Sequence, residues 1–402
     1  MHSARTRRGD APLGGLAGLA LVACVASGCG IFPPAGQEAE RRLSVEWATV
    51  LYQLEPFAYH PVEEGQPLFV HGKATPEGGL LVVPSKDRSV RGLDAASGRI
   101  VWETKTTGPN GARPIDLGPY GAPDEFLLAS LDGHVYRMNQ RNGREIWISE
   151  YPDTAGITAS PAVSGKVDDA KGRIFVTSLD NRITALSLQT GKRVWEAERA
   201  QEQELTVTGQ AGAVVAKDVV ITGFSDGWVI AYAVDDGVTV WSTDLSGGDK
   251  QFVDVDTTPQ VVAGADGSVV VAGSFARGLY GLGLDNGVVL WKQPGEGFAT
   301  PAVLDGVVYA PRTDGQLWAI EADGGRVRWV AKFDTGWAGT PVASRKYVLT
   351  PIGEALSFVD RGSGREVMRW SDGRGVRATP ELAFGSLYVL GNSGQVYGLG
   401  VY

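Results

Sequence analysis

A tight-turn dipeptide followed by three residues and a tryptophan recurs along this chain, and no other feature constrains its fold so strongly. The copies read SGRIVW (97–102), NGREIW (142–147), TGKRVW (190–195), DGVTVW (236–241), NGVVLW (286–291) and GGRVRW (324–329). A seventh, SGREVMRW (363–370), displaces its Trp by two positions. Successive tryptophans are 45, 48, 46, 50, 38 and 41 residues apart, a period that matches propeller blades and exceeds most helical or leucine-rich repeats. Within the unit 299–332, turn pairs at Gly306, Asp314-Gly315 and Gly324-Gly325 separate four short runs that alternate apolar and polar residues, so each reads as a half-buried strand. Four antiparallel strands make one blade, and a blade buries both faces only against its neighbours, with the recurrent Trp filling the gap.

Seven units carry the signature, and residues 379–402 then supply three more strands and stop. At the other end LSVEWATVL (43–51) carries a lone Trp47 with no turn before it. The expectation is an all-β, eight-bladed propeller over 43–402, closed by the N-terminal strand joining the C-terminal blade, because closure removes exposed edges. Seven blades with a loose N-terminal strand is the alternative. The 55 glycines and 21 prolines among 402 residues agree with many short strands and tight turns.

The first residues set Arg5, Arg7 and Arg8 ahead of an apolar, small-residue run from Ala11 to Gly28, the pattern of an export signal over 1–28. Both cysteines, Cys24 and Cys29, lie here, so the mature domain has no thiol for a disulfide, zinc or nucleophilic attack. The stretch resembles a bacterial lipoprotein signal, with Cys29 in SGCGIF as the lipidated residue and Cys24 in LVAC as its rival; a plain secretory signal is the alternative. Residues 29–42 then form the lipidated Cys and a polar tether. Gly30 is not the Asp that favours inner-membrane retention, so this resemblance implies an outer-membrane anchor. The formal charge of −9, more negative still once the three arginines leave with the signal, argues against nucleic acid as a partner.

Most features that look chemical are consumed by the repeat. GLGLDNG (281–287) leads into a strand and lacks the spacing of a dinucleotide loop. The Asp-Gly pairs at 132, 226 and 314 read as hairpin turns, and His60, His71 and His134 are isolated. No GxSxG motif or partnered nucleophile is present, so neither catalytic residue, metal ligand nor cofactor site is assigned.

One stretch departs from the repeat. Counted back five and three residues from the Pro of each comparable unit, only QFVDVDTTP (251–259) has Asp at both places, Asp254 and Asp256. On a strand these two share a face while Val253 and Val255 point the other way. Two carboxylates so close repel unless they meet solvent, a cation or a basic partner. The spacing alone leaves open a solvated strand end, a docking point, and a metal or catalytic pair.

The turn-xxxW repeats resemble the propellers with pyrroloquinoline-quinone-type repeats, over residues 43–402. Within that family the chain resembles the BamB-like lipoproteins that serve outer-membrane β-barrel assembly, through SGCGIF (27–32) and DVDTTP (254–259). This resemblance implies a non-enzymatic, lipid-anchored scaffold on the periplasmic face of the outer membrane. It would be a monomer within a complex, docking on periplasmic domains of the barrel-assembling subunit. It also implies partner-binding roles for Asp254 and Asp256, and for Leu205 and Val207 in LTVTG (205–209). Thr208 stands where that family has Arg, so one charged contact is missing. The quinone-dependent dehydrogenases of the same repeat family are the enzymatic alternative, and they usually carry a calcium site and often a vicinal cysteine pair that the mature residues here lack. A generic propeller holding another envelope protein or a glycan is the third reading.

Overall fold

The computed structural model describes residues 43–53, 62–72, 75–150, 155–199, 211–248, 251–264, 267–334 and 336–401. The signal, both cysteines and the tether therefore lie outside the described residues. Within them the strands form eight four-stranded antiparallel sheets. Blades 1 to 7 occupy residues 68–105, 115–148, 162–198, 214–244, 260–293, 302–332 and 342–370 in chain order. Blade 8 joins the strands Glu381–Ala383, Ser386–Leu390 and Gln395–Val401 to Leu43–Val50, which pairs as its outermost strand from Leu43↔Val401 to Val50↔Gln395. The ring is closed by the two ends of the chain, as expected, and seven blades with a loose strand is excluded.

Not every strand is half-buried. The outer strands alternate, as in Ile100–Lys105, but middle strands such as Leu80–Ser85 and Tyr347–Ile352 are buried along their whole length. A middle strand is covered on both faces by neighbouring blades, so it reads as a continuous apolar run such as LLVVPS, and alternation survives only at the rim.

The tryptophans lock the seams. Trp291 of blade 5 donates its indole N–H to Ala322 O of blade 6 at 2.7 Å. Its ring lies on Gly325, where φ is 71° and an added Cβ would sit 2.7 Å from the indole. The same bond runs from Trp47, Trp102, Trp195, Trp241 and Trp329 to a carbonyl three residues before the equivalent turn glycine of the next blade. At these six seams the repeat supplies both halves of a lock, the Trp binding forwards and the turn glycine receiving the Trp behind, whereas Trp147 covers Gly191 of blade 3 without the indole bond.

Strand direction gives the ring two distinct faces. Hairpins between second and third strands, and the connections from blade to blade, lie on one face. The remaining turns lie on the other, and there the first described strand begins at Leu43.

Candidate partner-docking site

Residues 245–259 connect the outer strand Thr239–Asp244 of blade 4 to the innermost strand Gln260–Gly264 of blade 5. The segment around the two acids is not a sheet strand, contrary to the expectation from its β-branched run. It is an extended connection stitched between two hairpins. Val255 N donates to Phe224 O of blade 4 (3.1 Å), while Phe275 N and Ala276 N of blade 5 donate to Asp254 O (2.8 Å) and Phe252 O (3.0 Å). Ser274 Oγ adds a bond to Val253 O at 2.9 Å.

Extended chain alternates whether or not it joins a sheet, so the valines still turn inward. Val253 and Val255 are buried, and Val255 packs into the core between blades 4 and 5 beside Ile221, Val229, Leu245 and Val270. Gly223 faces it with no side chain, where a Cβ would fall 2.2 Å from Val255 Cγ1. The acids do not share a solvated face. Asp254 is 0 % exposed, which removes the solvated-strand-end reading for that residue. Asp256 is only partly exposed, and among the described residues its carboxylate accepts no hydrogen bond and meets no cation. Burial first, and the neighbouring Asp254 charge second, push its carboxyl up to about 7. Beside them Phe252 holds a left-handed φ of 53° with its side chain 41 % exposed.

The Thr-Thr-Pro half has an architectural role that the sequence reading missed. Thr257 Oγ1 accepts from Gly273 N at 2.7 Å. Thr258 Oγ1 accepts from Gly212 N ahead of blade 4 at 2.9 Å, and Thr258 N donates to Thr300 Oγ1 ahead of blade 6 at 3.0 Å. Similar bonds run from Arg113 N to Ser160 Oγ and from Thr379 Oγ1 to Thr340 O, making part of a circumferential ladder near the ring axis. Its signal was available: Ser-Pro or Thr-Pro recurs at 160, 258, 300, 340 and 379, each time just ahead of an innermost strand. Glu381 reinforces the axis, accepting from Arg113 Nη2 at 3.0 Å and from Phe69 N at 3.2 Å, and so joins blades 8, 1 and 2.

Leu205, Val207 and Thr208 lie outside the described residues, in the stretch linking blade 3 to blade 4. That is the inter-blade connection one step before the one carrying the acids. His71, following the innermost strand of blade 1, and His134, in the hairpin between the second and third strands of blade 2, lie on opposite faces of neighbouring blades, and His60 lies outside the described residues. The Asp-Gly pairs are hairpin turns, with φ of 85°, 89° and 77° at Gly133, Gly227 and Gly315. Among the described residues no three His, Cys, Asp or Glu side chains gather as metal ligands.

Eight four-stranded blades locked by a repeated turn-to-Trp element define a propeller of the pyrroloquinoline-quinone-type repeat class. A profile of the family described as "Outer membrane protein assembly factor BamB" matches residues 45–168 and 157–331, and the chain belongs to that family. Its relatives of the same description include one from Burkholderia pseudomallei, 27% identical over 351 residues covering 85% of this chain and 84% of that one. Another, from Escherichia coli, is 24% identical over 348 residues, covering 74% and 88% respectively. The crystal structure of BamB from Moraxella catarrhalis superposes with a TM-score of 0.70 at 19% identity, covering 89% of this chain and all of that one. The quinohemoprotein alcohol dehydrogenase from Comamonas testosteroni reaches a TM-score of 0.64 at 15% identity, over 89% of this chain and 76% of its own, a likeness of fold alone.

Proposed function

We propose that this chain is a non-enzymatic assembly factor for outer-membrane β-barrel proteins, lipid-anchored through Cys29 and facing the periplasm. In this reading it docks a periplasmic domain of the assembly machinery on the connections into blades 4 and 5. Its relatives' shared description and the family match support the general role. The observation that carries the docking site is Asp256, a largely buried carboxylate with a second acid two residues away and no cation to meet it among the described residues. Such a group is stabilised by a basic side chain from outside. Phe252 offers an apolar contact beside it, and Leu205 and Val207 add others from the preceding connection. Asp254, being fully buried, acts through its charge on Asp256 and through its backbone carbonyl, which holds the blade 5 hairpin. Thr208 contributes no charge, so docking here leans on the acids.

Pull-down from solubilised membranes tests the site. Asp256→Lys, and separately a Leu205→Asp, Val207→Asp pair, should each lose the barrel-assembly partner while keeping the wild-type circular dichroism. Recovery equal to wild type in both folded variants would refute the surface. Because Asp256 ionises only as pH rises through about 7, recovery by the wild type should also increase across that range. Intact mass of the extracted protein decides between Cys29 and Cys24 as the lipidated residue.

A further inference from the structure

The face opposite the docking connections carries a feature the role above does not use. Phe384 is 87 % exposed at the tip of a two-residue turn in blade 8, with φ of 49°. Bulky residues rarely adopt that conformation, and the same turn position holds polar Lys217 in blade 4 and Asp305 in blade 6, at φ of 52° and 50°. Phe384 leans on Phe69 and His71, at centroid distances of 5.6 and 5.8 Å, so its exposed ring extends an aromatic cluster across the seam to blade 1. The neighbouring turns of blade 7 carry Arg345, Lys346 and Arg365, all exposed, and none in an ion pair among the described residues. Arg361 N bonds Lys346 O at 3.0 Å, so these two turns form one basic surface. The acids beside it are occupied: Asp305 pairs with Arg361 at 2.7 Å and Asp360 caps Ser363. Other exposed acids flank it: Glu46 on the outer strand of blade 8, Glu77 in blade 1 on the far side of the aromatic cluster, and Asp323 in the corresponding turn of blade 6. In a chain of net charge −9 this patch runs against the overall sign.

The register of blade 8 says where the patch lies. Ser44, Gly400, Ser386 and Ala383 form one row across the sheet, so the strand opening at Leu43 starts on the same face as Phe384, three strand spacings or about 14 Å away. Residues 29–42 lead into that point and can reach at most about 50 Å even if fully extended. We propose that this face of blades 7 and 8 rests on an anionic phospholipid surface, with Phe384 at the headgroup level and Arg345, Lys346 and Arg365 meeting lipid phosphates. The inference rests on the lipid-anchor reading. The anchor supplies attachment, and the patch sets orientation, turning the face with Asp256 away from the bilayer.

The test uses the full lipidated chain, its mass measured first, with Ser386→Cys carrying an environment-sensitive dye, reconstituted in vesicles of phosphatidylethanolamine and phosphatidylglycerol. The dye emission should shift blue relative to detergent and be quenched by headgroup-attached spin labels, whereas a dye at Glu354→Cys on the opposite face should show neither. Phe384→Ser with Arg345→Gln and Lys346→Gln should abolish the shift. A dye as exposed on vesicles as in detergent, or a shift that survives the triple change, overturns the proposal while the measured lipid leaves the anchor intact. A shift that appears only when the solubilised partner complex is added assigns the patch to protein and overturns it equally. If the mass shows no lipid, the anchor reading falls instead. Flotation with the same vesicles then decides the patch, with binding weakened about fivefold for each basic residue neutralised, and no flotation overturning it.

Discussion

The seam between blades 5 and 6 and the seam between blades 7 and 8 solve one problem in two ways. In the first, Trp291 lies opposite Gly281 of its own blade, reaches Ala322 O and covers Gly325 of the next. In the second, the equivalent slot is held by Met368, opposite Phe358, and Trp370 packs edge-on against Tyr397 at 5.0 Å. The cause is topological. A seam Trp docks on the turn between third and fourth strands of the next blade, and in blade 8 those two strands come from opposite ends of the chain, so there is no such turn. The displaced Trp is therefore the signature of the closing blade, and it shows that the lock belongs to the turn as much as to the indole.

The sharpest way to break this contrast is truncation. Trp291→Ala should cost about 3–5 kcal/mol in denaturant unfolding, since it removes a large buried ring together with its bond. Gly325→Ala, which leaves the Trp but obstructs its receptor at positive φ, should cost roughly 1–3 kcal/mol; an unchanged midpoint would show that the receptor is not specific. Replacing the indole by phenylalanine separates the seams more finely. Trp291→Phe strands Ala322 O at a cost of about 1–3 kcal/mol. Trp370→Phe, with no indole bond among the described residues, should cost under about 1.5 kcal/mol. Equal losses in the two variants would contradict the topological account.

The acid pair offers a smaller, pH-dependent contrast. Asp256 has its carboxyl raised to about 7 from 3.8, so the stability it contributes is complete below about 4 and is lost as pH rises through 7. Asp256→Asn should thus stabilise the protein by roughly 2 kcal/mol at pH 8 and by almost nothing at pH 4. Thermal midpoints at the two pH values check this, and a gain of the same size at both would show that the effect is not titration.

The blade count, the closure by Leu43–Val50 and the seam role of Trp were all legible, because a fixed period and an unmatched strand at each end leave few alternatives. The two-sided burial of strands such as Leu80–Ser85 was not read, although LLVVPS shows it, because alternation within one unit was generalised to all strands. The position of the acids was legible as an exception to the repeat, but their environment was not. A β-branched run looks alike in a sheet and in a connection, and only the hairpins at Phe224 and Ser274–Ala276 determine which it becomes. Thr258 and Thr300 were hidden for the opposite reason: each is an ordinary residue in its own unit, and their bond is visible only when neighbouring units are set side by side.

Closure has a consequence in time. Leu43–Val50 is made first among the described strands, yet its partner Gln395–Val401 is made last among them. Until that last strand is made the first has nothing to pair with, and the indole of Trp47 is not held over Gly98 of blade 1. Cooperative stability waits on delivery of the whole length, and a chain cut short keeps raw sheet edges that mark it for proteolysis.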